Sequence, residues 1–144
     1  MDSGWEAQQI VIQVARCADL LDIPAMAGHF GDTAVLEVGE RRVEGRDAIF
    51  EYFGSGGPAR SASSERTKHV ISNSMISADG EDLLATSYFQ VLRSWGLATW
   101  GRYEDRLTSS GGVWQIVHRK VVVDGNLPRP APPPEPAASA ASAG

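Results

Sequence analysis

The run TKHVISNSMISADGEDLLATSYFQVLRSWGLATWGRYEDRLTSSGGVWQIVHRKVVVD, residues 67–124, decides the fold. It divides into four long strands, 67–76, 81–94, 97–109 and 113–124. Each is rich in Val, Ile, Thr, Tyr, Phe and Trp, side chains that suit a pleated, half-buried surface. Between them lie Ala78-Asp79-Gly80, Trp95-Gly96 and Ser110-Gly111-Gly112, where glycine supplies the positive φ that tight hairpins need. The runs are about twice the common strand length of five to six residues. Twist accumulates along strands this long, so they predict a strongly bent antiparallel sheet with a concave face that needs a cover.

The N-terminal half supplies that cover. Ile10, Val14, Cys17 or Ala18, and Leu21 recur at three- and four-residue spacing, one stripe of an amphipathic helix over 5–21. Ser3 is its N-cap, and Glu6 completes a capping box. Asp22-Ile23-Pro24 stops the helix, and a short second helix follows over 24–30. A strand over 33–38, a turn at Gly39-Glu40 and a strand over 41–44 form a hairpin. A third helix over 48–53 presents Ile49, Phe50 and Phe53. GSGGPARSASS, residues 54–64, reads as a flexible loop able to act as a lid. The order α-α-β-β-α-β-β-β-β is that of an α+β fold: a cone-shaped, curved, mostly antiparallel sheet with N-terminal helices on its concave face.

Residues 1–125 form the domain. Residues 126–144, NLPRPAPPPEPAASAASAG, hold six of the eight prolines and, beyond Leu127, no large apolar side chain. Such a tail cannot recover its ordering entropy by burial, so it reads as disordered and partly polyproline II. A net charge of −5 without a basic run argues against nucleic acid. One cysteine rules out an internal disulfide, and three scattered histidines lack the local spacing of a metal site. There is no phosphate loop, no dinucleotide fingerprint, no long apolar run and no basic leader. The expectation is a cytoplasmic protein with no cofactor, metal or membrane partner, forming a homodimer through its open sheet face.

The element order and several motifs together resemble the SnoaL-like group of the nuclear transport factor 2-like superfamily. The motifs are Leu20-Leu21-Asp22, Met26-Ala27-Gly28-His29-Phe30, Asp32-Thr33-Ala34-Val35, Gly45-Arg46-Asp47-Ala48-Ile49, Thr67-Lys68-His69-Val70-Ile71-Ser72-Asn73, Gly101-Arg102-Tyr103-Glu104-Asp105-Arg106 and Gly112-Val113-Trp114-Gln115-Ile116-Val117-His118-Arg119. The resemblance implies an α+β barrel and a range of activities, from dehydratases, isomerases and cyclases to non-catalytic binding proteins. It also implies a catalytic pair, Asp22 after the first helix and His69 on the first long strand, facing one pocket. There the carboxylate would orient an imidazole that moves protons at carbon or to a leaving hydroxyl.

From the residues alone, Asp22 also reads as a helix cap and His69 as a satisfied strand histidine. Strand alternation puts Tyr103 and Asp105 inward with Gly101, and Tyr103 becomes a candidate oxygen binder. Cys17, where similar bile-acid dehydratases carry a tyrosine, joins Phe50, Phe53, Trp100 and Arg119 as substrate-binding candidates; core packing is the alternative for Cys17. Trp100 shares parity with Arg102, so it reaches a pocket only through a bulge. Which of His118 and Arg119 faces inward is open for the same reason. The leading expectation is a cofactor-free acid–base enzyme, a cyclase, dehydratase or isomerase, acting on an apolar, polycyclic carbonyl compound. The alternative is a non-catalytic small-molecule-binding or dimerising accessory protein of the same fold.

Overall fold

The computed structural model describes residues 2–54 and 66–137. The element order is α1 (Ser3–Leu20), α2 (Ile23–Gly28), β1 (Phe30–Val38), β2 (Arg41–Glu44), α3 (Arg46–Gly54), β3 (Lys68–Asp79), β4 (Asp82–Arg93), β5 (Gly96–Ser110) and β6 (Val113–Asn126). This is the α+β order expected. The lid loop read over 54–64 lies, past Gly54, outside the described residues. Residues 127–137 carry neither helix nor strand and are exposed. Among the described residues no helix is long and apolar enough to cross a membrane.

The strands form one open six-stranded sheet in the order β2-β1-β6-β5-β4-β3, with β2 and β3 at its edges. Every pair is antiparallel except β1 with β6. The sheet is curved but is not closed into a barrel. Helices α1 to α3 pack on its concave side.

Helix α1 is capped by Asp2, not Ser3: the Asp2 carboxylate accepts the Gly4 N–H at 2.9 Å. It ends where Leu21 turns left-handed, at φ 56°, and its N–H returns to the Ala18 carbonyl. The buried stripe is Ala7, Val11, Val14, Ala15 and Ala18, rotated from the one expected; Ile10 and Cys17 flank it. Three alanines let the helix axis approach the sheet closely. Phe30, Leu36, Ile49, Leu107 and Ile116 are almost wholly buried and belong to the same core cluster. By area bookkeeping each such side chain stabilises the fold by roughly 1.5–3 kcal/mol.

Bulges bend β6. Between Arg106↔His118 and Leu107↔Ile116 the register slips by one, which leaves Val117 unopposed. The same slip lets Ile116 and Arg119, three apart in sequence, both face inward. A second slip separates Trp100↔Gly125 from Gly101↔Val123. Gly101 is buried there, and a Cβ would collide with the Val122 carbonyl oxygen, a backbone atom. Gly101→Ala is therefore expected to cost at least about 1–3 kcal/mol through overpacking, read as a lower urea midpoint.

Candidate active site

Under α1, between the helices and the concave sheet face, lies a cavity of about 190 Å³. Its wall is mostly carbon: Val14, Ala15 and Ala18 from α1, Met26 from α2, Phe53 from α3, and Phe89, Val91 and Val121 from the sheet. Polar groups reach it from His69, Tyr103, Arg119, Arg93, Thr67 and Thr99. An apolar cavity with a few convergent polar groups is the general form of a small-molecule site.

His69 sits near the start of β3, opposite Val91 of β4. Because β3 is an edge strand, one side of its backbone has no strand partner. The last turn of α1 covers that side with Asp19. The Asp19 carboxylate accepts the His69 backbone N–H, with Oδ1 at 3.0 Å and Oδ2 at 3.1 Å, and pairs with ring Nδ1 at 2.6 Å. Both side chains are largely shielded, 11% and 14% exposed for Asp19 and His69. One carboxylate thus fixes the main chain and the ring of the same residue. An ionised Asp19 accepts from Nδ1–H, so the imidazole's free lone pair is on Nε2. The ring borders the cavity.

Tyr103 faces inward from the middle of β5. It stacks on Phe89 with ring centroids 4.5 Å apart, and the Arg119 guanidinium lies 4.1 Å from its ring centroid. Arg119 is directly across the sheet from Asp105. The two form a buried bidentate pair, Nε–Oδ1 2.7 Å and Nη2–Oδ2 2.8 Å. Two of the five guanidinium N–H donors are thereby committed. Burial pushes the Tyr103 phenol up to about 12; Arg119 opposes this, while Asp105 and Asp19 add to it. Tyr103 therefore stays a neutral hydrogen-bond donor at any physiological pH. In the unfolded chain tyrosine ionises near 10, so the folded value is raised. Stability linked to Tyr103 is then complete below pH 10 and falls as pH rises from 10 toward 12. An alkaline titration followed by tyrosinate absorbance is expected to show a late transition near pH 12, absent in Tyr103→Phe.

The structure brings together His69, Tyr103, Phe53 and Arg119 of the residues singled out from sequence. The others lie elsewhere. Asp22 is not the partner of His69: it is the exposed N-cap of α2, accepting the Ala25 N–H at 3.2 Å. Cys17 packs on the hydrophobic core outside the cavity wall, and burial, with Asp22 adding, pushes its thiol up. Phe50 is 42% exposed, because on α3 the inward positions are Ile49 and, four residues on, Phe53. The Trp100 ring lies over Gly125, its cross-strand partner, and does not line the cavity. His118 points away from the cavity and pairs with Glu37 at 2.7 Å. That hydrogen bond holds the Glu37 carboxyl below its ordinary range.

Solved structures share this architecture. A protein of unknown function with a cystatin-like fold from Nostoc punctiforme superposes with a TM-score of 0.75 at 18% identity, over 86% of this chain and 92% of that one. ActVI-ORFA from Streptomyces coelicolor gives 0.73 at 17%, over 83% and 95%. A candidate scytalone dehydratase from Novosphingobium aromaticivorans gives 0.69 at 17%, over 93% and 92%. At such identities the likeness establishes the fold and not the chemistry. A search of curated proteins gives no match. The sequence match to the SnoaL-like domain runs over residues 2–120, nearly the whole folded unit, and the chain belongs to that family.

Proposed function

We propose that the protein is an acid–base enzyme of the isomerase, dehydratase or cyclase kind, working on a small apolar carbonyl compound without a cofactor. The observation that carries this reading is His69, locked through Nδ1 by Asp19 at 2.6 Å with its ring on an apolar cavity. Nε2 takes a proton from the carbon beside the carbonyl, and the electron pair moves onto the carbonyl oxygen. Tyr103, kept protonated by burial, donates to that oxygen as its charge grows. Asp19 stabilises the imidazolium. The proton then returns to another carbon, giving an isomer, or to a leaving hydroxyl, giving dehydration.

The cavity's size narrows the substrate. About 190 Å³ is little more than the ~150 Å³ void that accepts benzene in an engineered core. A compound of one or two rings fits that volume. That a candidate scytalone dehydratase shares this fold supports the dehydratase form of the reading. The test is deuterium exchange at the carbon beside the carbonyl. One- and two-ring ketones are incubated in heavy water and followed by proton NMR. Exchange driven by the wild type and lost in His69→Ala supports the reading, and equal exchange by both proteins overturns it.

A further inference from the structure

We propose that Arg93 is the specificity-determining residue of the cavity and that it selects a substrate carrying a carboxylate. The inference deepens the function just proposed and rests on the cavity being the substrate site. Arg93 is the last residue of β4. It belongs to the cavity wall and also to a surface depression formed with Trp95, Asn126 and Leu127. It therefore stands where the cavity meets solvent.

The other ionisable side chains around the cavity already have partners. Arg119 is neutralised by Asp105, and Asp19 is taken by His69. The hydrogen bond Arg93 makes among the described residues goes to a neutral group, the hydroxyl of buried Thr67, at 3.3 Å. Its positive charge has no carboxylate opposite it among those residues. A neutral ligand filling the cavity would strip water from this guanidinium and return nothing. A ligand carboxylate would accept two parallel N–H bonds from it.

Spacing sets the rest of the ligand. Thr67 and His69 both line the cavity and are two residues apart along the chain, a separation of roughly 7 Å in extended backbone. A carboxylate held by Arg93 beside Thr67 then lies about one ring away from a carbon at His69. The geometry fits an aromatic or alicyclic keto acid whose acid group lies near the entrance and whose carbonyl end lies deep, near Tyr103.

The test compares 2-naphthoate with its neutral amide, 2-naphthamide, by calorimetry on the full chain. Wild type is expected to bind the acid roughly tenfold more tightly, as for one charge-assisted pair. Arg93→Gln should bind the two alike, and Arg93→Lys should keep part of the preference. Equal affinities in the wild type, or a preference that survives in Arg93→Gln, overturn the role of Arg93 and leave the cavity as a binding site. If neither compound binds, the assignment falls together with the cavity reading.

Discussion

His69→Ala is expected to lower exchange or turnover by roughly 10²–10⁴-fold, the range a positioned general base supplies. Asp19→Asn should lower it by a comparable amount while leaving the fold intact. In that variant the side-chain amide oxygen still accepts the His69 backbone N–H, so the edge of β3 stays capped. The amide NH₂, however, donates where the carboxylate accepted, and the imidazole must present a lone pair at Nδ1. The proton then sits on Nε2, and the nitrogen at the cavity is no longer a base. The control is Asp22→Ala, which removes an N-cap worth about 1 kcal/mol and touches nothing in the cavity. Its turnover should match the wild type. A loss at Asp22 equal to that at Asp19, with unchanged thermal unfolding, would move the orienting carboxylate back to Asp22 and overturn the geometry described above.

The difference between those two aspartates shows where sequence reading stops. The long strands were legible because glycine turns punctuate them and β-branched and aromatic residues fill them. The inward faces of Tyr103 and Asp105 followed from period-two alternation. His69 emerged from family resemblance. Asp19 was missed because the stripe Ile10, Val14, Cys17 or Ala18, and Leu21 was centred on its bulky members. The face that actually packs keeps Val14 and Ala18 and adds Ala7, Val11 and Ala15, and the small side chains of Ala7 and Ala15 barely register in an apolar pattern. With that face in register, Asp19 follows Ala18 at the stripe's border, a carboxylate placed to meet the sheet. Arg119 was undecided for another reason. The bulge at Val117 is a property of the paired strands, and no local propensity in Val113–Asn126 announces it. Trp100 went astray through its partner: the glycine it covers, Gly125, lies 25 positions away in sequence and meets it only once β5 and β6 pair.

Breaking the Asp105–Arg119 pair should produce the largest stability loss in the domain. Both residues are 4% exposed, and their side chains close on each other bidentately. Arg119→Met removes the cation and leaves a carboxylate buried without a counter-charge, which costs about 3–5 kcal/mol. For a domain of this size that is a fall in Tm of roughly 10–20 °C. Asp105→Leu should do similar harm from the other side, by stranding a buried guanidinium. Replacing both at once, Asp105→Leu with Arg119→Met, leaves no unpaired charge and fills a comparable volume. Its stability should return to within about 1–2 kcal/mol of the wild type, since a buried pair and a well-packed apolar substitute are often near equal. If the single variants melt within a few degrees of the wild type, water in the cavity is solvating the abandoned charge and the pair is not a structural anchor. The double variant also separates stability from function. Arg119 lies against the Tyr103 ring and, of the pair, has the larger effect on its phenol, in the downward direction. Removing the pair should therefore move the late tyrosinate transition to still higher pH. That shift, in a protein of normal stability, would show that the pair tunes the phenol lining the cavity as well as bracing the sheet.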